Sequence, residues 1–436
     1  MRVVESVRVP LLSIAFFAAG SVLAQPPEAE VAERDNGLAV WAGYGDSDNI
    51  GRTPTPESGT YRSVGLFLDL DRETARLDAS ISSDIEYRRY SIDSYDNETV
   101  GYFDGQALID LIEDRFSWNF SERLDQGQLD AFAPIGPNNR ETINVFTHGP
   151  RLDIPFGRTS LGMSAYRSQR RYDESAQIDN ENDNFEISLA RQASRTASYA
   201  LVASTSETEF EGNIAPGYEI DRVVIRMNKL QSRGELNVDI GTNEISSATQ
   251  SQRDPVLSVD WSRSLSGRSD IGIAALREFS DSGNYAGDAA GTLVTTAPFE
   301  QKRLDVSYDL TGARTSVSLG MGIGEEDYAG GTTFDNDFEN AYLAITYRST
   351  ARLQFGFDYD LYDRTSPVMA GPGSSQEDRT AGVWLNRLLG RSFSVALDIS
   401  RYEGSGAFSV DETRTELRFS YSPTGDTAAA LQSIGR

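Results

Sequence analysis

The feature that most restricts this chain is a period-two alternation of apolar and polar residues that recurs along its length. It is plainest between Arg303 and Gly324, where Leu304, Val306, Tyr308 and Leu310 alternate with Asp305, Ser307 and Asp309. A turn at Thr311-Gly312-Ala313-Arg314 follows, and Val317, Leu319, Met321 and Ile323 then alternate with Ser318, Gly320 and Gly322. Alternation on both sides of a short Gly-containing turn specifies a β-hairpin with one apolar and one polar face.

The hairpin repeats. An Arg stands at or just after each tight turn: Arg76, Arg115, Arg158, Arg195, Arg233, Arg268, Arg314, Arg352 and Arg391. Their spacing of about 40 residues fits two strands, one tight turn and one longer connection. Polar connections rich in Gly, Asn, Asp, Ser and Pro fall near 46–59, 91–98, 123–140, 172–183, 207–216, 243–253, 280–296, 325–336, 363–376 and 403–409. This pattern predicts an all-β, antiparallel transmembrane barrel of about 20 strands (18–20), with short periplasmic turns and long extracellular loops. A water-soluble sandwich or propeller is the alternative, but propeller blades need four short strands per repeat, and turn signals occur here only about twice per repeat.

The start of the chain agrees with export. Arg2 and Arg8 precede an uncharged apolar run from Leu11 to Ala24, and Val22-Leu23-Ala24 suits signal-peptidase cleavage. The expected organisation is a signal peptide over 1–24, a periplasmic leader over 25–36, the barrel over 37–422 and a periplasmic tail over 423–436. Beyond the signal peptide no apolar run is long enough for a membrane helix. A mean hydropathy of −0.42 does not exclude a membrane barrel, because only alternate residues of each strand face lipid. With no Cys, disulfides and thiolate metal sites are excluded.

A net charge of −26 argues against nucleic acid as a partner. The partners expected are outer-membrane lipid and lipopolysaccharide, with divalent cations bridging an acidic surface to the anionic glycolipid. The face of each strand that points to the lumen is expected to carry Asp78, Asp84, Glu86, Arg88, Arg222, Arg226, Asp239, Asp260, Asp305, Asp309, Asp358, Asp360, Asp398 and Arg418. These charges read either as a hydrated, mutually paired interior or as an acidic pore wall that favours cations and neutral polar solutes. The aromatics Phe116, Trp118, Phe120, Trp261, Phe355, Phe357, Phe393, Phe419 and Tyr421 are expected on the outer face, at lipid and its interfaces.

No catalytic residue, cofactor or metal site is expected, and the chain reads as a non-enzyme. His148 is the only histidine, and a lone base near neutral pH invites a hydrolase reading. Its place in Thr147-His148-Gly149-Pro150 suggests instead a bulge near the periplasmic end of a strand, away from the outer leaflet. Two acidic segments, Asp179 to Asn184 and Asp335 to Glu339, read as solvated loops, with a weak calcium site as the alternative, since neither has the spacing of an EF-hand.

The stretch from Glu113 to about Gly217 carries a more distinctive run. It holds Pro137-Asn138-Asn139-Arg140-Glu141-Thr142-Ile143-Asn144-Val145-Phe146, then Thr147-His148-Gly149-Pro150 and the turn at Gly157-Arg158. This stretch resembles the exosortase/PEP-CTERM system-associated outer-membrane β-barrel proteins, themselves similar to β-barrel porins of exopolysaccharide gene clusters. Tyr44 to Ile50 is also similar to the first strand and loop of such barrels. The resemblance implies an outer-membrane, porin-like channel tied to exopolysaccharide export or to surface sorting, with polysaccharide-export or sorting components as partners. The alternative is a non-conducting scaffold that binds partners through its loops or periplasmic face.

Overall fold

The computed structural model describes residues 37–423, apart from 176–177, 214, 248–250, 282–294, 330–333 and 369–373. The expected signal peptide, leader and nearly all of the tail lie outside the described residues. The first quarter of the sheet is β1 (Gly37–Ser47), β2 (Gly59–Glu73), β3 (Leu77–Tyr90), β4 (Glu98–Ile112) and β5 (Phe116–Gly127). Next come β6 (Glu141–Phe156), β7 (Thr159–Tyr172), β8 (Asn180–Ser194), β9 (Ala197–Phe210) and β10 (Tyr218–Gln231). They are followed by β11 (Gly234–Ser247), β12 (Ser251–Ser266), β13 (Ser269–Ser280), β14 (Phe299–Thr311) and β15 (Thr315–Tyr328). The last are β16 (Asn336–Thr350), β17 (Leu353–Thr365), β18 (Ser375–Leu388), β19 (Phe393–Ser405) and β20 (Ser409–Tyr421).

Each strand pairs antiparallel with the next, and β20 pairs with β1, from Val40 opposite Tyr421 to Ser47 opposite Arg414. The sheet is therefore a closed 20-stranded barrel. Closure leaves no edge, so every strand finds ladder partners on both sides where water is absent.

The Arg-marked turns are where the alternation puts them. Between β14 and β15 only Gly312, Ala313 and Arg314 intervene, and Gly312 N–H donates to Thr315 C=O at 2.7 Å. The turn arginines also extend the ladder. The carbonyls of Arg76, Arg115, Arg158, Arg233, Arg268, Arg314 and Arg352 each accept a backbone N–H from a neighbouring hairpin, at 2.7–2.9 Å. Their side chains are exposed at the turn end, where guanidinium groups can reach lipid headgroups.

Residues directly opposed in a ladder share a face. On the outer face Leu304, Met321 and Ile323 are 43%, 62% and 54% exposed, and Leu201, Val223, Ile225 and Ile240 belong to the same belt. Nearer the long connections the outward positions turn charged: Arg167 and Asp183, Glu244 and Arg253, Lys302 and Glu325. Several of these pair with one another, as Lys302 does with Asp327 at 2.8 Å. The outer wall is thus an apolar belt below a charged collar, the profile of a barrel set in lipid with its strands projecting beyond it.

The strands are 11–16 residues long and extend past the belt into segments expected as loops. β15 runs through Glu325 and Glu326 to Tyr328, and β8 begins at Asn180. The apolar alternation stops where lipid stops; the hydrogen-bond ladder does not. The acidic run from Asp179 is consequently strand in large part, with Glu181 and Asp183 outward and Asn180 and Asn182 inward. Alternation prevents these groups from wrapping one ion, and β16 splits Asp337 and Glu339 from Asn336 in the same way.

Two outcomes test this topology. In this Cys-free chain, single cysteines at Asn138 or Val368 should react with an impermeant maleimide on intact cells, whereas cysteines at Thr196 or Gly267 should react only after permeabilisation. Met321→Arg should destabilise the barrel by about 2–4 kcal/mol in denaturant refolding into vesicles. The inward change Ser307→Arg should stay within about 0.5 kcal/mol.

Candidate functional site: the lumen and its long-loop mouth

The inward face is polar, and its contacts require a concave surface. Arg418 of β20 reaches Glu86 of β3 at 3.3 Å with β1 and β2 between them. Tyr61 O–H donates to Glu416 at 2.7 Å across β1, and Arg222 of β10 reaches Glu278 of β13 at 3.3 Å. The register places every candidate lumen charge on this face. Asp78, Asp84, Glu86 and Arg88 lie along β3, and Arg222, Arg226, Asp239 and Asp260 along β10 to β12. Asp305, Asp309, Asp358, Asp360, Asp398 and Arg418 complete the set on β14, β17, β19 and β20.

These charges do not form one cluster. They divide the wall into sectors of different character. In the sector from β20 to β3, Arg88 pairs with Glu86 at 2.9 Å, Arg418 bonds Glu416, and the Arg418 guanidinium lies 4.1 Å from the Trp41 ring centre. Trp41 lies flat because Gly65 beneath it has no side chain; a Cβ there would sit 2.2 Å from the ring. In the sector from β10 to β13, Arg222 and Arg226 both bind Asp239, at 3.2 and 2.9 Å. Arg88, Arg418, Arg222 and Arg226 are thus each held by a carboxylate.

The wall from β12 to β19 differs. Through the middle and turn end of the barrel its inward charges are Asp260, Asp270, Asp305, Asp309, Asp358, Asp360 and Asp398. The cations here are Arg303, tied to Asp305 at 2.7 Å, and Arg348, out at the turn-end rim. Trp384 lies flat on Gly356 and donates its indole N–H to Asp358 at 2.8 Å. Asp260, Asp270, Asp309 and Asp360 are exposed, so this wall is wet.

The mouth at the long-loop end is dry by contrast. Arg364, Gln301, Gln376, Asn336 and Glu141 point inward there and are almost fully buried. What covers them is partly loop. The β5/β6 connection, residues 128–140, crosses the mouth: Ala131 and Phe132 pack on Phe299 and Tyr328 of β14 and β15. In a 20-stranded ring those strands are on the opposite wall. The loop is held in shape by Asn139, whose amide binds the backbone of Asp130, Ala133 and Pro134 at 2.7–3.2 Å. Its near end is fastened by Arg140, 2.7 Å from Glu98, and Ile135 C=O accepts from Arg52 at 2.8 Å. Burial pulls the Arg140 guanidinium below its usual range against the opposing effect of Glu98, and it remains charged at neutral pH. Arg52 in turn binds Glu412 of β20 at 2.8 Å.

Just past the end of β13, Asp281 also points inward. Asp281 accepts from Arg170 of β7 at 2.9 Å and from Tyr218 of β10 at 2.9 Å, deep in the mouth. Arg170 and Asp281 are 2% and 5% exposed, so removing either partner would cost on the order of 3–5 kcal/mol. Phe279, next to this anchor, packs with Phe210, Tyr218 and Ile245. Nothing in the period-two pattern signals the crossing loop or the Asp281 anchor. The only trace of the first is the Asn138-Asn139-Arg140-Glu141 run, in which Asn139 is the loop lock, Arg140 the loop anchor and Glu141 a buried acceptor.

His148 is not near the periplasmic end. It is the eighth residue of β6, midway along the strand and on the outer face, with its ring among Trp118, Phe120 and Phe146. Gly149-Pro150 is not a bulge either. His148 opposite Arg167 and Arg151 opposite Ser164 belong to one register, so no residue is inserted and only ladder bonds are missing. Pro150 has no N–H to give, which is the physical reason for the gap.

No protein-family model and no curated protein matches the chain. Solved structures similar to it include the siderophore receptor PirA from Acinetobacter baumannii, at 9% identity over 89% of this chain and 80% of that one, with a TM-score of 0.49. The FrpB iron transporter from Neisseria meningitidis is 8% identical over 89% and 83%, with a TM-score of 0.44. OccK10 (OpdN) of Pseudomonas aeruginosa is 13% identical over 89% and 100%, with a TM-score of 0.36. At such identities the likeness is one of architecture alone. The closed barrel, its apolar belt and its polar lumen make this chain an outer-membrane β-barrel.

The crossing loop should be protected as long as its lock is intact. Proteinase K applied to intact cells should leave residues 129–138 uncut in the wild type and cleave there in Asn139→Ala, with the rest of the barrel resistant in both.

Proposed function

We propose that the chain is a passive outer-membrane channel for cations and neutral polar solutes, narrowed at its outer mouth by residues 128–140. The observation that carries this reading is the acidic wall from β12 to β19, where wet carboxylates face the lumen with few cations to neutralise them. Such a surface concentrates cations and repels anions at the scale of the Debye length, about 8 Å at physiological ionic strength. Selection by charge would act along the wall, and selection by width at the mouth.

The finer placing, beside exopolysaccharide export or exosortase-linked sorting, rests on the sequence resemblance around Glu113 to Gly217. An acidic wall suits a neutral polymer better than an acidic one. Deleting the gene should then reduce surface polysaccharide or strand sorted surface proteins in the periplasm. The charged collar supports lipopolysaccharide as a neighbour, through divalent cations at outward carboxylates such as Glu325 and Asp327.

A second reading, a non-conducting scaffold, is favoured by the crossing loop itself. Planar-bilayer recording decides between the two. The channel reading expects stable steps with a reversal potential showing K⁺ preferred over Cl⁻. Replacing Asp305, Asp309, Asp358 and Asp360 by Asn should lower that preference severalfold while channels still open. Removal of residues 129–138 should raise unitary conductance. Silence of the wild type across repeated insertions, or anion preference, would sink the channel reading; silence relieved only by the loop deletion would favour the scaffold.

A further inference from the structure

The two ends of the outer wall treat their cations differently. In the charged collar Arg167 bonds Asp183, Arg253 bonds Glu244, and Arg401 is 2.9 Å from Glu403. At the opposite end, below the apolar belt, Arg191 of β8, Lys229 of β10 and Arg263 of β12 point outward, each within the last four residues of its strand. The ladder fixes that face. Arg191 is opposite Tyr199, Lys229 is opposite Leu236, and Arg263 comes two residues after Trp261, which is also opposite Leu236.

Three turn arginines continue the patch, one beyond each of those strands: Arg195, Arg233 and Arg268. All six side chains are exposed, and among the described residues no carboxylate is within ion-pair distance of any of them. The acids at this end of the same sector, Glu235, Asp260 and Asp270, are on the inward face. Alternate strands are about 10 Å apart, twice the strand spacing, so three pairs of cations stand side by side. Tyr199 and Trp261, outward beside them, suit the boundary between hydrocarbon and headgroups. In a chain of net charge −26, this uncompensated basic stripe is a local exception.

We infer that this stripe is a docking surface for phosphatidylglycerol in the inner leaflet of the outer membrane. The turn end is the periplasmic end, so the lipid it meets is phospholipid and not lipopolysaccharide. The phosphodiester sits between a strand cation and the turn arginine beyond it, and the acyl chains run along Tyr199, Leu236 and Trp261 into the belt. Five of the six cations are Arg, whose guanidinium is weakly hydrated and meets phosphate with two parallel N–H donors. The amine of phosphatidylethanolamine brings a further positive charge to a surface with no outward carboxylate to accept it. A glycerol headgroup brings none, and this difference is the basis of selectivity. The inference rests on the orientation of the barrel, which maleimide labelling tests separately, and not on whether the lumen conducts.

The test is native mass spectrometry of the full barrel released from nanodiscs holding equal parts phosphatidylglycerol and phosphatidylethanolamine. Retained lipid should favour phosphatidylglycerol by roughly tenfold, since each Arg or Lys at an anionic membrane surface is worth about fivefold. The triple variant Arg191→Gln/Lys229→Gln/Arg263→Gln should bring that ratio to about one. The collar pair Arg253→Gln/Arg401→Gln removes cations that already have carboxylate partners and should leave it unchanged. Heat-modifiable migration on gels reports that each variant is folded. If the strand triple does not fold, the turn triple Arg195→Gln/Arg233→Gln/Arg268→Gln decides, with a severalfold fall expected. No enrichment of phosphatidylglycerol on the wild type, an unchanged ratio in the deciding triple, or an equal fall in the collar pair overturns the proposal.

Discussion

Everything in this barrel depends on one constraint: inside a bilayer a backbone N–H or C=O has no partner except another strand. Closure of β20 on β1 meets that constraint for the sheet as a whole, and the consequences reach down to single residues. Seven of the nine turn arginines give their carbonyls to a neighbouring hairpin, which carries the ladder into those turns. The one stretch in β6 and β7 where paired positions drop out is at Gly149-Pro150, where a donor is missing. Trp118, His148 and Phe185 stand around the same stretch on the outer wall.

Because the side-chain period is two, the same strands serve two unrelated surfaces. On β14 and β15 the outward row Leu304, Val306, Met321 and Ile323 answers to lipid, while the inward row Asp305, Ser307, Asp309 and Gly322 answers to water and solute. The rows are coupled only through the backbone, so each can vary without the other. This explains why a chain with a mean hydropathy of −0.42 and a net charge of −26 is still a membrane protein. The acids are inside or above the belt, and the belt itself uses only every second residue of its strands.

That separation also decides what can be read from the sequence. The hairpins, their Arg-marked turns, the strand number and the facing of Asp305, Asp358, Arg226 and Arg418 all follow from local alternation, and local alternation is visible in a sequence. The upper ends of β8 and β15 read as loops because the signal is apolar-polar contrast, and above the belt both faces are polar. The position of His148 is hidden for a related reason: Gly-Pro looks like an irregularity near a turn, whereas the register passes through it unbroken. The crossing of the mouth by residues 128–140 has no local signature at all. It depends on Ala131 meeting Phe299 and Tyr328, residues far apart in sequence and on opposite walls, and no period connects them.

The contrast between the two ends of the lumen follows from the same need of polar groups for partners. At the turn end, Asp260, Asp270 and Asp309 are exposed where water can reach them, and Asp270 and Asp309 also accept from Ser264 and Ser318 at 2.6 Å. At the long-loop end, Arg364, Gln301, Gln376 and Glu141 are buried, and a buried polar group left without a protein partner is strongly destabilising. A polar loop can cross there because it brings partners with it: Asn139 turns the loop's own carbonyls inward on itself, Arg140 meets Glu98, and Ile135 C=O meets Arg52. A plug without these groups would leave Glu98 without Arg140. The chemistry of the wall therefore dictates the chemistry of what can lie across it. The lumen is thus dry where its side chains interlock and wet where they do not.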